Sequence, residues 1–243
     1  MSLRTAAFFD LDGTLIPEPT LERRLFEALH RSGAIVYSNY VRWLAESLCL
    51  LPSGVVAMRH ANKRYLAGIN ADLALEHVDS VVFFEAGIAR VAWHANQDHG
   101  IVFVTGTLEP LAQLAARAME CELEARGLTM RVEVVATRLQ ESRGNWTGEL
   151  AGEALYGSAK ACAVARLAKE RAWNLSQCHA YGNSPLDRDL LYAVGRGHAV
   201  NPGRELAAIA NERDWPVWHW HQEKKLLKQA SCSSEIHSVE GQA

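Results

Sequence analysis

No stretch of this 243-residue chain is long and apolar enough to be read as a membrane span. The opening residues also lack the extended apolar stretch of a secretory signal, because Ala6 to Phe9 gives way at once to Asp10. Cysteine is sparse. Cys49, Cys121, Cys162, Cys178 and Cys232 are odd in number, scattered and without paired metal spacing, which argues against a disulfide framework or a zinc ribbon. Reduced thiols in a cytoplasmic protein are expected. An excess of positive charge is missing too. The net charge of −3 speaks against a general nucleic-acid binder. An anionic ligand would therefore be held by a few local cations and backbone amides. What is present is an ordinary globular balance, 49% hydrophobic and 22% charged residues, enough to bury a core.

The most informative segment is Phe8-Phe9-Asp10-Leu11-Asp12-Gly13-Thr14-Leu15. A short apolar run delivers two carboxylates, one residue apart, to a Gly-Thr turn. If Ala6 to Phe9 form a buried parallel strand, Asp10 stands at its carboxyl end, where open α/β sheets place their ligands. One carboxylate can then attack while the other handles protons.

From Leu21 to Phe84, apolar residues recur at helical spacing, as in Leu21, Leu25, Phe26 and Leu29, then Val41, Leu44, Ala45 and Leu48. Turn signals at Ser32-Gly33, Leu51 to Gly54 and Gly68 to Asn70 divide them, which predicts a small helical bundle. Tyr37, Tyr40 and Trp43 are expected to pack inside it. The cations Arg23, Arg24, Arg42, Arg59, Lys63 and Arg64 are expected mostly on solvated helix faces.

A second apolar run, Ile101 to Val104, ends in Thr105-Gly106-Thr107, and a helix from Glu109-Pro110 to about Arg126 follows. Arg131 to Ala136 alternates as a strand, with a hairpin turn region at Gly144 to Gly148. Ser158 is expected to cap a helix containing Lys160. Cys178 to Tyr181 and His198 to Val200 read as further strands. The alternation predicts an α/β fold, a doubly wound parallel sheet carrying an inserted helical cap. Trp215 to His221 is expected as a last strand, with His219 and His221 on one polar outer face rather than on a metal. The residues beyond His221 are expected to fray.

Four elements then stand in a chemically useful order. They are Asp10-x-Asp12-Gly13-Thr14; Thr105-Gly106, whose hydroxyl and amide can donate to a phosphate oxygen; Lys160 near the positive end of a helix; and Tyr181-Gly182-Asn183-Ser184-Pro185-Leu186-Asp187 after a strand. This combination resembles the haloacid dehalogenase (HAD) superfamily, and most closely its phosphoserine phosphatase-like subgroup, in which a helical cap follows the first motif. The run Thr147-Gly148-Glu149, then Gly157-Ser158-Ala159-Lys160-Ala161, is also similar to that subgroup. The resemblance spans about residues 5 to 220 and implies a catalytic core over 1–16 and 86–221, a cap over 17–85 and a tail over 222–243.

The resemblance further implies a Mg²⁺-dependent phosphatase acting on a small phosphorylated substrate. Asp10 would be the nucleophile, forming an aspartyl-phosphate. Asp12 would be the acid and then the base. Gly13, Thr14, Thr105, Gly106 and Lys160 would bind the phosphoryl group. The metal would be held by Asp10, the Asp12 carbonyl and Asn183, with Asp187 assisting. No nucleic acid or stable membrane partner is implied, and no motif sets an oligomeric state.

Two departures from the family pattern matter. Asn183 replaces an expected aspartate, which predicts weaker Mg²⁺ affinity. Pro19 stands where the phosphatases of the subgroup carry a glutamate nine residues after the nucleophile, with Glu18 and Glu22 flanking it, so the pattern does not single out phosphoserine. A haloacid dehalogenase and a non-catalytic phospho-ligand binder are the competing readings. Asp12 speaks against the first; Asn183 motivates the second.

Overall fold

The computed structural model describes residues 5–78 and 80–221. The expected tail and Cys232 fall outside them. The chain opens with β1 (Ala6–Phe9) and passes into the helical insert: α1 (Leu21–Arg31), α2 (Tyr37–Leu50), α3 (Val55–Ala61) and α4 (Ala71–Leu75). It returns through α5 (Glu85–Ala95), β2 (Gly100–Leu108), α6 (Glu109–Glu124) and β3 (Val132–Thr137). A hairpin of β4 (Leu139–Ser142) and β5 (Asn145–Leu150) leads to α7 (Ser158–Arg171) and β6 (His179–Gly182). The last elements are α8 (Arg188–Tyr192), β7 (Arg196–Val200), α9 (Arg204–Glu212) and β8 (Val217–Trp218).

Six strands form one parallel sheet in the order β3-β2-β1-β6-β7-β8. The order reverses between β1 and β6, which creates the crevice where doubly wound sheets bind ligands. Alternate residues of β1 point to opposite faces: Ala7 and Phe9 join one buried apolar cluster, Ala6 and Phe8 the other. Both faces are covered, as an all-parallel sheet requires. Register aligns Phe9, Tyr181 and His198 across three strands. Their rings stack nearly parallel, at 4.5 Å for Phe9–Tyr181 and 4.4 Å for Tyr181–His198.

The insert is not a separate bundle with its own core. Leu21, Leu25 and Leu29 of α1, with Tyr65, Leu66 and Ile69, belong to the same cluster as the sheet residues Phe9 and Phe103. In contrast, Val41, Leu44 and Leu48 of α2 are 52%, 58% and 61% exposed, and Tyr37 and Trp43 are exposed as well. The aromatic packing expected there holds for Tyr40 alone, which packs against the core and meets His30; Tyr37 and Trp43 lie on the outer side of α2. The two ends of the insert meet: Phe84 N–H donates to the Leu15 carbonyl at 2.9 Å.

Local expectations differ in four places. Strand β2 continues through Thr105-Gly106-Thr107 to Leu108, with its pairing shifted after Thr105. The hairpin turns at Arg143-Gly144, so Asn145 to Gly148 lie within β5. Ser158 is the first residue of α7, whose cap is Gly157, with no side-chain capping bond. Strand β8 is only Val217–Trp218, and the His219 and His221 rings meet edge to face, with His221 Nδ1 2.6 Å from Asn201 Oδ1. Of the cysteines, Cys49, Cys121, Cys162 and Cys178 carry free thiols.

Candidate active site

A cavity of about 220 Å³ opens at the carboxyl ends of β1, β2 and β6. Asp10, Asp12, Thr105, Gly106, Lys160, Asn183 and Asp187 line it, so seven of the nine singled-out residues converge there. Gly13 and Thr14 lie behind its wall. Thr14 is fully buried, and its hydroxyl sits 3.2 Å from Asp10 Oδ2 and 3.3 Å from Asn183 Oδ1, drawing those two oxygens together.

Each carboxylate is held separately. Asp10 follows β1, with its backbone N–H donating to the Tyr181 carbonyl at 2.9 Å. Its Oδ1 accepts from Lys160 Nζ at 2.6 Å. Asp12 Oδ1 accepts from the Leu21 N–H at 2.9 Å, at the amino end of α1, and its Oδ2 accepts from the Thr107 hydroxyl. The first carboxylate is thus clamped to the core, and the second is shared between the core and the insert.

Lys160 enters from the first turn of α7 and bridges Asp10 to Asp187, at 2.6 Å to each. Asp187 Oδ2 accepts from the Asn183 and Ser184 N–H groups and the Ser184 hydroxyl. With both oxygens engaged, Asp187 fixes Lys160 and the loop after β6, and its carboxylate is already committed to protein donors.

Two glycines are required by close approach. Gly13 has φ of +82°, and a Cβ there would lie 2.1 Å from Asn183 Nδ2. A Cβ on Gly182 would lie 2.4 Å from that of Asp187.

The electrostatics are those of an acidic site short of positive charge. Burial pushes Asp10 up from 3.8 to about 7; Lys160 opposes the rise, and Asp187 and Asp12 add to it. Burial also raises Asp12, partly offset by its bonds from Thr107 and Leu21. Burial pulls Lys160 down, but Asp10 and Asp187 outweigh it and hold the ammonium above its ordinary value. Two carboxylates share one lysine, and a third, Asp12, is held by neutral donors.

Several lining residues carry no motif signal. Thr107 orients Asp12, while the Thr105 hydroxyl, expected to face a phosphate, is turned to Thr107 at 3.1 Å. From the insert come Glu22 and His60; His60 Nδ1 would stand 3.2 Å from a Cβ on Gly106. Lys63, expected on a solvated face, is buried and paired with Glu22 Oε2 at 2.7 Å. Glu22 Oε1 is buried without a hydrogen-bond partner among the described residues. Only the direction of the insert's helices could have announced these residues, and spacing does not give it.

A carboxylate pair and a lysine at the switch point of a doubly wound parallel sheet mark a site of hydrolytic chemistry in an α/β fold. The chain belongs to the haloacid dehalogenase-like hydrolase family, which it matches over residues 7–192. It is 36% identical to a phosphoserine phosphatase of Mycobacterium tuberculosis, over 94% of this chain and 75% of that protein. It is 30% identical to the inhibition of morphological differentiation protein of Streptomyces azureus, over 92% of this chain and 81% of that one. Among solved structures, a Bordetella pertussis protein of unknown function superposes with a TM-score of 0.69 at 22% identity, covering 90% of this chain and 100% of the other. A substrate-bound phosphoserine phosphatase gives 0.61 at 17%, covering 94% and 99%. Among the described residues, no helix is long and apolar enough to cross a membrane.

Proposed function

We propose that this hydrolase is a Mg²⁺-dependent phosphatase that cleaves a small phosphate monoester through an aspartyl-phosphate on Asp10. The observation that carries the reading is the division of labour between two carboxylates in one cavity, one clamped by lysine and one held by neutral donors. Asp10 attacks phosphorus as the ester P–O bond breaks, and Asp12 gives its proton to the departing alkoxide. Asp12 then takes a proton from water, the water oxygen attacks phosphorus, and the bond to Asp10 breaks to release phosphate. The raised affinity of buried Asp12 for a proton suits the first half of this cycle.

The residues present fit Mg²⁺. The donors are all oxygen, and the Thr14 hydroxyl brings Asp10 Oδ2 and Asn183 Oδ1 to one side of the cavity. The surplus of carboxylates over lysine supplies the charge. Asp10, the Asp12 carbonyl and Asn183 would hold the ion, with Asp187 acting through the loop and Lys160. The ion would offset repulsion between the phosphate and Asp10 and neutralise charge in the transition state. Lys160 shares that task, while Thr105 and Gly106 close the phosphate end of the cavity.

We assign residues 1–16 and 86–221 to the catalytic core and 17–85 to a cap that excludes water and sets specificity. Glu22 lines the cavity from this insert, beside Thr20 and His60. Its unpaired oxygen suits a donor on the released alcohol, such as an ammonium, which makes phosphoserine the first ester to test. The test is phosphate release from a panel of small monoesters with and without Mg²⁺. Metal-dependent release that disappears in Asp10→Asn is expected. Full activity in that variant would remove Asp10 as nucleophile, and tight ester binding without turnover would favour a binding protein instead.

A further inference from the structure

Away from the carboxylate cavity, three histidines meet at the amino edge of the sheet. His94 ends α5, His99 lies in the turn before β2, and His179 begins β6, roughly 13 Å along the strand from Asn183. One ring nitrogen of each lies within 4.8 Å of the other two. We propose that His94, His99 and His179 form a second metal site, for a borderline divalent cation such as Zn²⁺.

The donor type and geometry suit such an ion. Imidazole nitrogens select Zn²⁺, Ni²⁺, Co²⁺ or Cu²⁺ over Mg²⁺. His94 Nδ1 and His99 Nδ1 stand 2.8 Å apart. Tetrahedral zinc places ligand nitrogens about 3.3 Å apart, given bonds near 2.0–2.1 Å, so a small opening of this pair admits it. The outer nitrogens are already oriented. His94 Nε2 meets the Tyr181 hydroxyl at 2.8 Å, and His179 Nδ1 meets His198 Nε2 at 3.1 Å. Trp218 Nε1 in turn donates to His198 Nδ1 at 3.3 Å. Partners of this kind fix ring orientation around metals.

Burial keeps the rings neutral, which is the ligand form. His94 and His179 are buried, whereas His99 is only partly so and opens a route from solvent. The competitor is the exposed Arg196, whose Nη1 lies 3.0 Å from His179 Nε2. It must swing aside for the ion to enter.

The test is a titration of the full chain with Co²⁺ in excess Mg²⁺, read by the visible absorption of four-coordinate cobalt and by displacement with Zn²⁺. One equivalent is expected to bind and to raise Tm. His99→Ala should weaken binding by about 10-fold or more while leaving Mg²⁺-dependent phosphate release intact. Arg196→Ala should tighten it. The double variant His219→Ala/His221→Ala should leave it unchanged. Equal binding by the wild type and His99→Ala, no binding at all, or loss confined to the His219/His221 variant would overturn the proposal.

Discussion

At the carboxyl ends of β1 and β6, Asp10, Asp187 and Lys160 are buried as a charge-paired group. Around the amino ends of β6 and β7, His94, His179 and His198 are buried as neutral rings held by stacking and hydrogen bonds. The Phe9–Tyr181–His198 stack runs between the two groups. One sheet thus takes ionisable side chains out of water in two ways. The carboxylate end sets its acidic groups against a lysine, whereas the histidine end gives charge up. Compensation leaves groups poised to exchange protons, and neutralisation leaves lone pairs.

Acid should separate the two ends most. The three histidines fall to about 2, 4 and 3 in the folded protein, first through burial and then through neighbouring rings and arginines. Between those values and 6.5 the unfolded chain binds more protons, so their contribution is complete above about pH 6.5 and is lost as pH falls. From pH 7.5 to pH 5 the loss is about 2 kcal/mol per histidine. Asp10 works the other way. Its folded value of about 7 exceeds 3.8, so the folded state binds the extra proton between these limits and stability falls as pH rises through them. Urea unfolding in EDTA should therefore show a steeper acid loss in Asp10→Asn than in the wild type. An identical slope would remove the opposition between the ends.

Lys160→Met strikes the compensated end alone. It leaves Asp10 and Asp187 without their shared cation and should lower kcat for phosphate release by about 10³-fold, with the acid slope of the histidine end retained. Gly13→Ala should be milder. Its new Cβ forces Asn183 aside, so the Mg²⁺ concentration for half-maximal activity rises and activity falls about 100-fold, as misplacement near 1 Å does. Metal titration of activity distinguishes it from Lys160→Met. The smallest effect should come from the outer helix of the insert, α2. Leu48→Ser should change unfolding free energy by no more than about 0.5 kcal/mol, while Leu25→Ala should cost about 2–5 kcal/mol.

That last contrast also shows what a sequence can tell. Leu21, Leu25 and Leu29 and Val41, Leu44 and Leu48 both repeat at helical spacing, and both stretches are helices. Periodicity names the element but not what covers it, and only α1 packs on the sheet. The Asp10 end was legible because each of its residues follows a short apolar strand or opens a helix, so local order along the chain implies convergence in space. His60 and Glu22 reach the cavity through the path of the insert, which has no local signature. The histidine end was illegible for the same reason. His94, His99 and His179 come from a helix, a turn and a strand and share no spacing a metal motif would show. The expected strand at Trp215 to His221 failed differently: alternating Trp and His suggested an extended segment, but only Val217 and Trp218 pair with β7.

The hydrogen bond between Leu15 and Phe84 gives the insert a closed doorway. A chain that leaves and re-enters a sheet at one point can lengthen or shorten in its outer, exposed part without moving the strands on either side, since closing a longer loop costs little when its ends are already joined. The insert is thus hinged to the sheet at one point in the chain. Any change to it is constrained at α1, where Leu21, Leu25 and Leu29 fill the sheet's core and whatever stands in place of Leu21 must still present an N–H to Asp12.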